Sequence, residues 1–152
     1  MKRKILLSLA AAPGAAVLIS ACASAAPSVA HSNLTVQCTE NVSGVDVTNG
    51  GVAGTGRCAL TGRVHDSGPA TDYRTQNGLT AIIRRVVTGA KGTITFVIRI
   101  DLVSGSEPWT ITSGTETYAK LHGRGNEVVD NYSGRPETFV LKGSVIPSPG
   151  SD

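Results

Sequence analysis

Aromatic side chains are scarce in this chain: one Trp, three Tyr and two Phe among 152 residues. Histidine is scarcer still. With neither interleaved rings nor a basic stripe, the sequence lacks what nucleic-acid binding requires. His31, His65 and His122 are scattered without ligand spacing, so no metal centre and no cofactor is expected. His65, Asp66 and Ser67 are consecutive, and a catalytic triad is a constellation in space that adjacent residues rarely supply. No window of ten residues carries a 3.6-residue apolar period free of Gly or Pro, which argues against helices. No apolar run approaches the ~20 residues of a bilayer span. The glycine-rich stretch Gly50–Gly56 is not flanked by a strand and a helix, so it reads as a turn region and not as a phosphate loop.

What is present begins at the N-terminus. Lys2-Arg3-Lys4 precede the apolar Ile5–Ala12 stretch, which is broken by Pro13-Gly14 and continues to Ile19. A short basic segment before an apolar stretch is an export signal. Ile19-Ser20-Ala21-Cys22 then resembles the lipobox of bacterial lipoproteins, in which the cysteine is diacylated, as by palmitate. A competing small-x-small site, Ala23-Ser24-Ala25, would instead release a soluble secreted protein. The cysteine count favours the lipobox. With Cys22 lipidated, Cys38 and Cys58 are left to pair in an oxidising compartment, closing a loop of about 20 residues. Localisation is then extracytoplasmic, at the cell envelope, with the lipid as membrane anchor.

Export also disposes of the basic charge. Lys2, Arg3 and Lys4 account for the whole formal excess of +3, and from Cys22 onward acids and bases balance. The chain divides into a signal peptide (1–21), an Ala- and Ser-rich tether (22–33), a domain (34–146) and a tail (147–152).

Within the domain, glycines punctuate short runs of Thr, Val and Ile, the composition of strands and turns. Strands are expected at 34–41, 43–48, 52–65, 78–88, 92–103, 107–113, 122–131 and 136–146, with at most one helical turn near 115–120. The fold class is all-β, an antiparallel barrel of about eight strands. The strongest signal is Ile94, Phe96, Ile98, Ile100 and Leu102, which alternate with Thr95, Val97, Arg99 and Asp101. That apolar face must line the core, because a one-residue slip would expose all of it.

The partner strand carries Arg84-Arg85, and neighbouring strand residues face opposite sides, so one arginine points inward. With Gly89–Gly92 as the turn, Thr88 faces Thr93 and Arg85 lies beside Phe96 on the inner face; a three-residue loop would send Arg84 there instead. An inward arginine needs a partner. Either it anchors an anion at the floor of a ligand cavity, or it forms an internal ion pair with an acid such as Glu116, Asp101 or Asp130, or it snorkels to the barrel mouth.

The segment Trp109–Gly125 reads Trp-Thr-Ile-Thr-Ser-Gly-Thr-Glu-Thr-Tyr-Ala-Lys-Leu-His-Gly-Arg-Gly. It resembles the Gly-Thr-Gly-x-Tyr/Phe-x-x-Leu/Ala-x-Gly segment of β-barrel proteins similar to allene oxide cyclases and dirigent proteins, also carried by secreted actinobacterial proteins. The likeness extends loosely over residues 52–145 and departs from the pattern at Glu116, where glycine is common. It implies an eight-stranded barrel with a mostly apolar interior and no specific activity, since the cyclases' polar residues do not map individually onto this chain. In this sequence Tyr118 and Leu121 can fold back under one helical turn as a plug. Arg85, Phe96, Asp101, Trp109, Glu116 and Tyr118 are the ligand-site candidates. The expected function is binding of a small apolar or amphipathic ligand, ahead of a cavity-free envelope protein that binds a partner, and of a cyclase-like isomerase.

Overall fold

The computed structural model of the protein describes residues 31–43, 49–131 and 135–147. The signal peptide, Cys22, all but the end of the tether, the tail from 148 and most of the expected 43–48 strand lie outside the described residues.

Eight strands make up the fold: β1 (Ser32–Val42), β2 (Asn49–Gly62), β3 (Asp66–Asn77), β4 (Thr80–Gly89), β5 (Gly92–Asp101), β6 (Pro108–Gly114), β7 (Leu121–Asn131) and β8 (Glu137–Pro147). Each pairs antiparallel with the next, and β8 returns to β1, closing the barrel. Closure leaves none of the described strands as an edge to recruit another chain.

The expected all-β barrel is thus the fold. One of its strands is not among those expected: β3 falls wholly on the residues read as the connection between the strands expected at 52–65 and 78–88. Its sequence has no apolar alternation because its inward positions are Gly68, Ala70 and Asp72, all buried. Small and acidic residues occupy the face where a core strand ordinarily carries branched ones.

The β4–β5 hairpin matches its expected register, with Thr88 opposite Thr93 and Arg85 opposite Phe96. Ile94, Phe96 and Ile98 are buried, Ile100 is half-buried and Leu102 is exposed. This gradient divides the barrel along its axis. The half nearest Ser32 is packed with Leu34, Val36, Leu60, Val87, Ile94, Phe96, Trp109, Leu141 and Val145. Phe96 and Trp109 meet edge to face with centroids 5.6 Å apart, the arrangement favoured by ring quadrupoles. Gly143 makes room for the indole, since a Cβ there would lie 2.5 Å from Trp109 Cζ2. Cys38 and Cys58 sit directly opposite one another on β1 and β2 and form the expected disulfide inside this core.

The packed end is sealed by a single 3₁₀ turn, Glu116–Tyr118, which buries Tyr118 and is followed by the buried Leu121. The Tyr118 hydroxyl donates to Asp66 at 2.7 Å. Asp66 also accepts the amides of Ser67, Ala90 and Lys91 at 2.8, 3.1 and 3.0 Å. The Tyr118 hydroxyl first, and these amides with it, hold the Asp66 carboxyl down at about 2. One carboxylate therefore pins the start of β3, the β4–β5 turn and the plug together.

Candidate functional site

The opposite half of the barrel is different. Following the inward side of β1 from its start, Leu34, Val36 and Cys38 give way to Glu40, which is completely buried. β3 contributes Asp72, β4 Arg85 and β7 Glu127 near the same level, and all are buried. One guanidinium is thus surrounded by three carboxyl groups. Arg85 Nε and Nη2 donate to the two oxygens of Asp72 at 2.9 and 2.8 Å, a bidentate pair. Nη1 donates to Glu127 Oε1. Glu40 Oε1 stands 3.0 Å from Nε, outside hydrogen-bond geometry because that N–H is directed at Asp72. The Phe139 ring covers the guanidinium at 4.9 Å.

Burial in so little water changes the acid strengths. Desolvation opposes the charge on Arg85, but Asp72 and then Glu127 outweigh it and hold the guanidinium protonated above its ordinary range. Glu40 is pushed up to about 8 by desolvation, which the attraction of Arg85 does not offset and to which Asp72 and Glu127 add repulsion. Burial raises Glu127 as well. At neutral pH the Glu40 carboxyl is therefore mostly protonated, and its proton can be given to the neighbouring Asp72 carboxylate.

Above this cluster the barrel is hollow. A cavity of about 230 Å³ opens toward the loops that follow β5 and β7. Asp72, Arg85 and Glu127 form its floor, Ile83, Ile100, Val129 and Phe139 its apolar walls, and Glu107 and Glu137 stand higher toward the mouth. An irregularity in the β2–β3 register between Val52 and Gly54 leaves both Ala53 and Gly54 buried against the space. β1 begins at the other end, so the entry of the chain into the barrel lies opposite the mouth.

Of the candidates read from the sequence, only Arg85 lines this cavity. Its partners are Glu40, Asp72 and Glu127, not the expected Glu116, Asp101 or Asp130. Those three lie elsewhere on the barrel and are exposed. With three carboxyls around it, the guanidinium is an internal ion-pair centre, and three of its five N–H donors are spent on Asp72 and Glu127. Phe96, Trp109 and Tyr118 belong to the packed core and plug. Asp101 caps the β5–β6 turn through the amides of Val103 and Ser104, which hold its carboxyl low. Glu116 sits at the sealed end. Arg84 faces outward and stacks on Tyr73 at 4.4 Å.

Two of the missed acids had a signal in the sequence. Glu40 continues the alternation of Leu34, Val36 and Cys38, and Glu127 continues that of Gly123 and Gly125. Asp72 had none, because its strand was not expected. Cys38, Glu40 and Cys58 also lie within 4.8 Å of one another, but both sulfurs are spent in the disulfide and offer no thiolate to a metal. The chain matches no family model, no curated protein and no solved structure.

Proposed function

We propose that this protein is an exported barrel, lipid-anchored through Cys22, that holds a small apolar or amphipathic ligand in its cavity. The observation that carries the reading is the asymmetry of the interior. One half is densely packed, while the other keeps a void with apolar walls over a polar floor, the composition of ligand sites generally. A barrel serving only as an envelope building block gains nothing from leaving that half unfilled, since unfilled core volume costs stability. At about 230 Å³ the space lies below the ~300–1,000 Å³ of drug-sized sites, which implies a small ligand or one that protrudes from the mouth. The anchor reading draws support from the Cys38–Cys58 pair, which leaves Cys22 as the odd cysteine. With β1 entering at the sealed end, an anchored barrel presents its mouth away from the tether.

The isomerase reading, suggested by the resemblance to cyclase and dirigent barrels, depends on polar groups converging on the void. Asp101, Glu116 and Tyr118 do not, whereas Asp72 and Glu127 do, so any such chemistry would belong to those two acids. Native mass spectrometry of protein purified from its own host tests the binding reading. A co-purifying small molecule is expected, and it should disappear in Ile100→Trp, which fills the half-buried mouth without touching the ionic floor. A ligand-free wild type, or a ligand retained unchanged by Ile100→Trp, would refute it.

A further inference from the structure

Charge is sorted along the barrel axis, a property independent of the cavity. From Cys22 onward acids and bases balance, but they are not mixed. The sealed end carries Arg63 after β2, Lys91 in the β4–β5 turn and Lys120 beside the plug, with Arg124 on β7 and Lys142 on β8 along its flank, all exposed. Every lysine after Cys22 is thus in this half. Among the described residues the acids of this half are Asp66 and Glu116. Arg63 and Lys120 border an open depression of about 470 Å³ at the end face, over Val64 and Leu121, with Glu116 on its rim. At the mouth the balance is reversed. The three carboxyls around Arg85 lie below, and Asp101, Glu107, Asp130 and Glu137 stand toward the opening, against Arg74, Arg99 and Arg135.

We infer that the sealed end is a docking face for an anionic phospholipid surface, and that it holds the barrel with its mouth turned away from the bilayer. The inference rests on the lipid-anchor reading and adds the orientation that an anchor alone does not impose. The chain from Cys22 to His31 spans at most about 30 Å when fully extended, and β1 starts at the sealed end with Ser32. That reach keeps the barrel at the surface and by itself fixes no pose. Charge selects one. In physiological salt, charges act over only about 8–10 Å, so the lipid responds to the end that approaches it and not to the balanced whole. Each basic residue close to an anionic surface favours the bound state by roughly fivefold, and acids at the mouth are repelled.

The test uses protein purified from its own host and bound to vesicles of phosphatidylcholine alone, or of equal parts phosphatidylcholine and phosphatidylglycerol. A water-soluble acetylating reagent labels exposed lysines, and mass spectrometry reads Lys91 and Lys120 together with the N-terminal peptide. On the anionic vesicles both lysines are expected to label roughly threefold more slowly, or slower still, than on the neutral ones, and high salt should erase the difference. In Arg63→Glu/Lys91→Glu the protection of Lys120 should be lost, whereas Arg99→Glu at the mouth should leave it intact. Arg63→Gln/Lys91→Gln, with a smaller loss, serves if the charge reversal does not fold. Equal labelling on the two vesicles, or undiminished protection of Lys120 in the folded variant, would overturn the docking face and leave the anchor standing. An N-terminal peptide without acyl chains would instead remove the anchor. The docking face is then read by flotation of the soluble chain, which should rise with the anionic vesicles alone; flotation with neither, or with both alike, would overturn the face as well.

Discussion

Glu116 has a φ of +50°, and among the described residues it is the one non-glycine position with positive φ. The left-handed region costs an L residue about 1–2 kcal/mol, because its Cβ crowds the following carbonyl. Here the cost is borne so that the chain can reverse between β6 and the plug and bring Tyr118 beneath the barrel. Glycine would remove the strain and add back roughly 0.5–1 kcal/mol of chain entropy in the unfolded state. Glu116→Gly is therefore expected to stabilise the barrel by up to about 1 kcal/mol, seen as a higher denaturant midpoint at unchanged slope. A lower midpoint would mean that the glutamate makes a contact worth more than the strain.

Among the strands, those that were legible in the sequence are those whose inward residues are apolar. β5 announces itself because Ile94, Phe96 and Ile98 leave a period of two that only a half-buried strand satisfies. From that strand and the glycines of the turn, the inward arginine follows by counting, and Arg85 does face Phe96. β3 was hidden because its inward face serves the ionic floor, and a strand that points Gly68, Ala70 and Asp72 inward has the composition of a loop. The identity of Arg85's partners was hidden for the same reason, since pairing across a barrel depends on register between strands distant in sequence. The disulfide was legible from counting alone. Its contribution is mainly to the unfolded state: a 20-residue separation corresponds to roughly 3 kcal/mol in the chain-entropy account. Cys38→Ala/Cys58→Ala should lose at least that much in urea unfolding, because the buried sulfurs also vacate core volume. A midpoint within a few tenths of a molar of wild type would show that the cross-link constrains little.

For the whole molecule, the ionic floor makes stability a function of pH in an unusual direction. Asp66, held at about 2, behaves as surface carboxylates ordinarily do: its contribution is present above 3.8 and fades as pH falls toward 2. Glu40 runs the other way. In the unfolded chain it ionises near 4.5, whereas in the barrel it keeps its proton until about 8. Between those values the unfolded state releases a proton that the folded state retains, so each rise in pH favours unfolding, until Glu40 ionises in both states. Glu127, raised for the same reason of burial, adds to the slope in the same sense. One such proton is worth about 1.4 kcal/mol per pH unit at most. The barrel should therefore be more resistant to urea at pH 5 than at pH 8, and Glu40→Gln should flatten much of that slope. The amide is neutral at every pH and can still donate to Asp72 as the protonated acid does. Its advantage over wild type should thus grow as pH rises toward 8 and be small near pH 5. A wild-type stability that is level or rising from pH 5 to 8, or a Glu40→Gln profile parallel to it, would mean that the buried carboxyl is charged throughout, balanced by Arg85 alone.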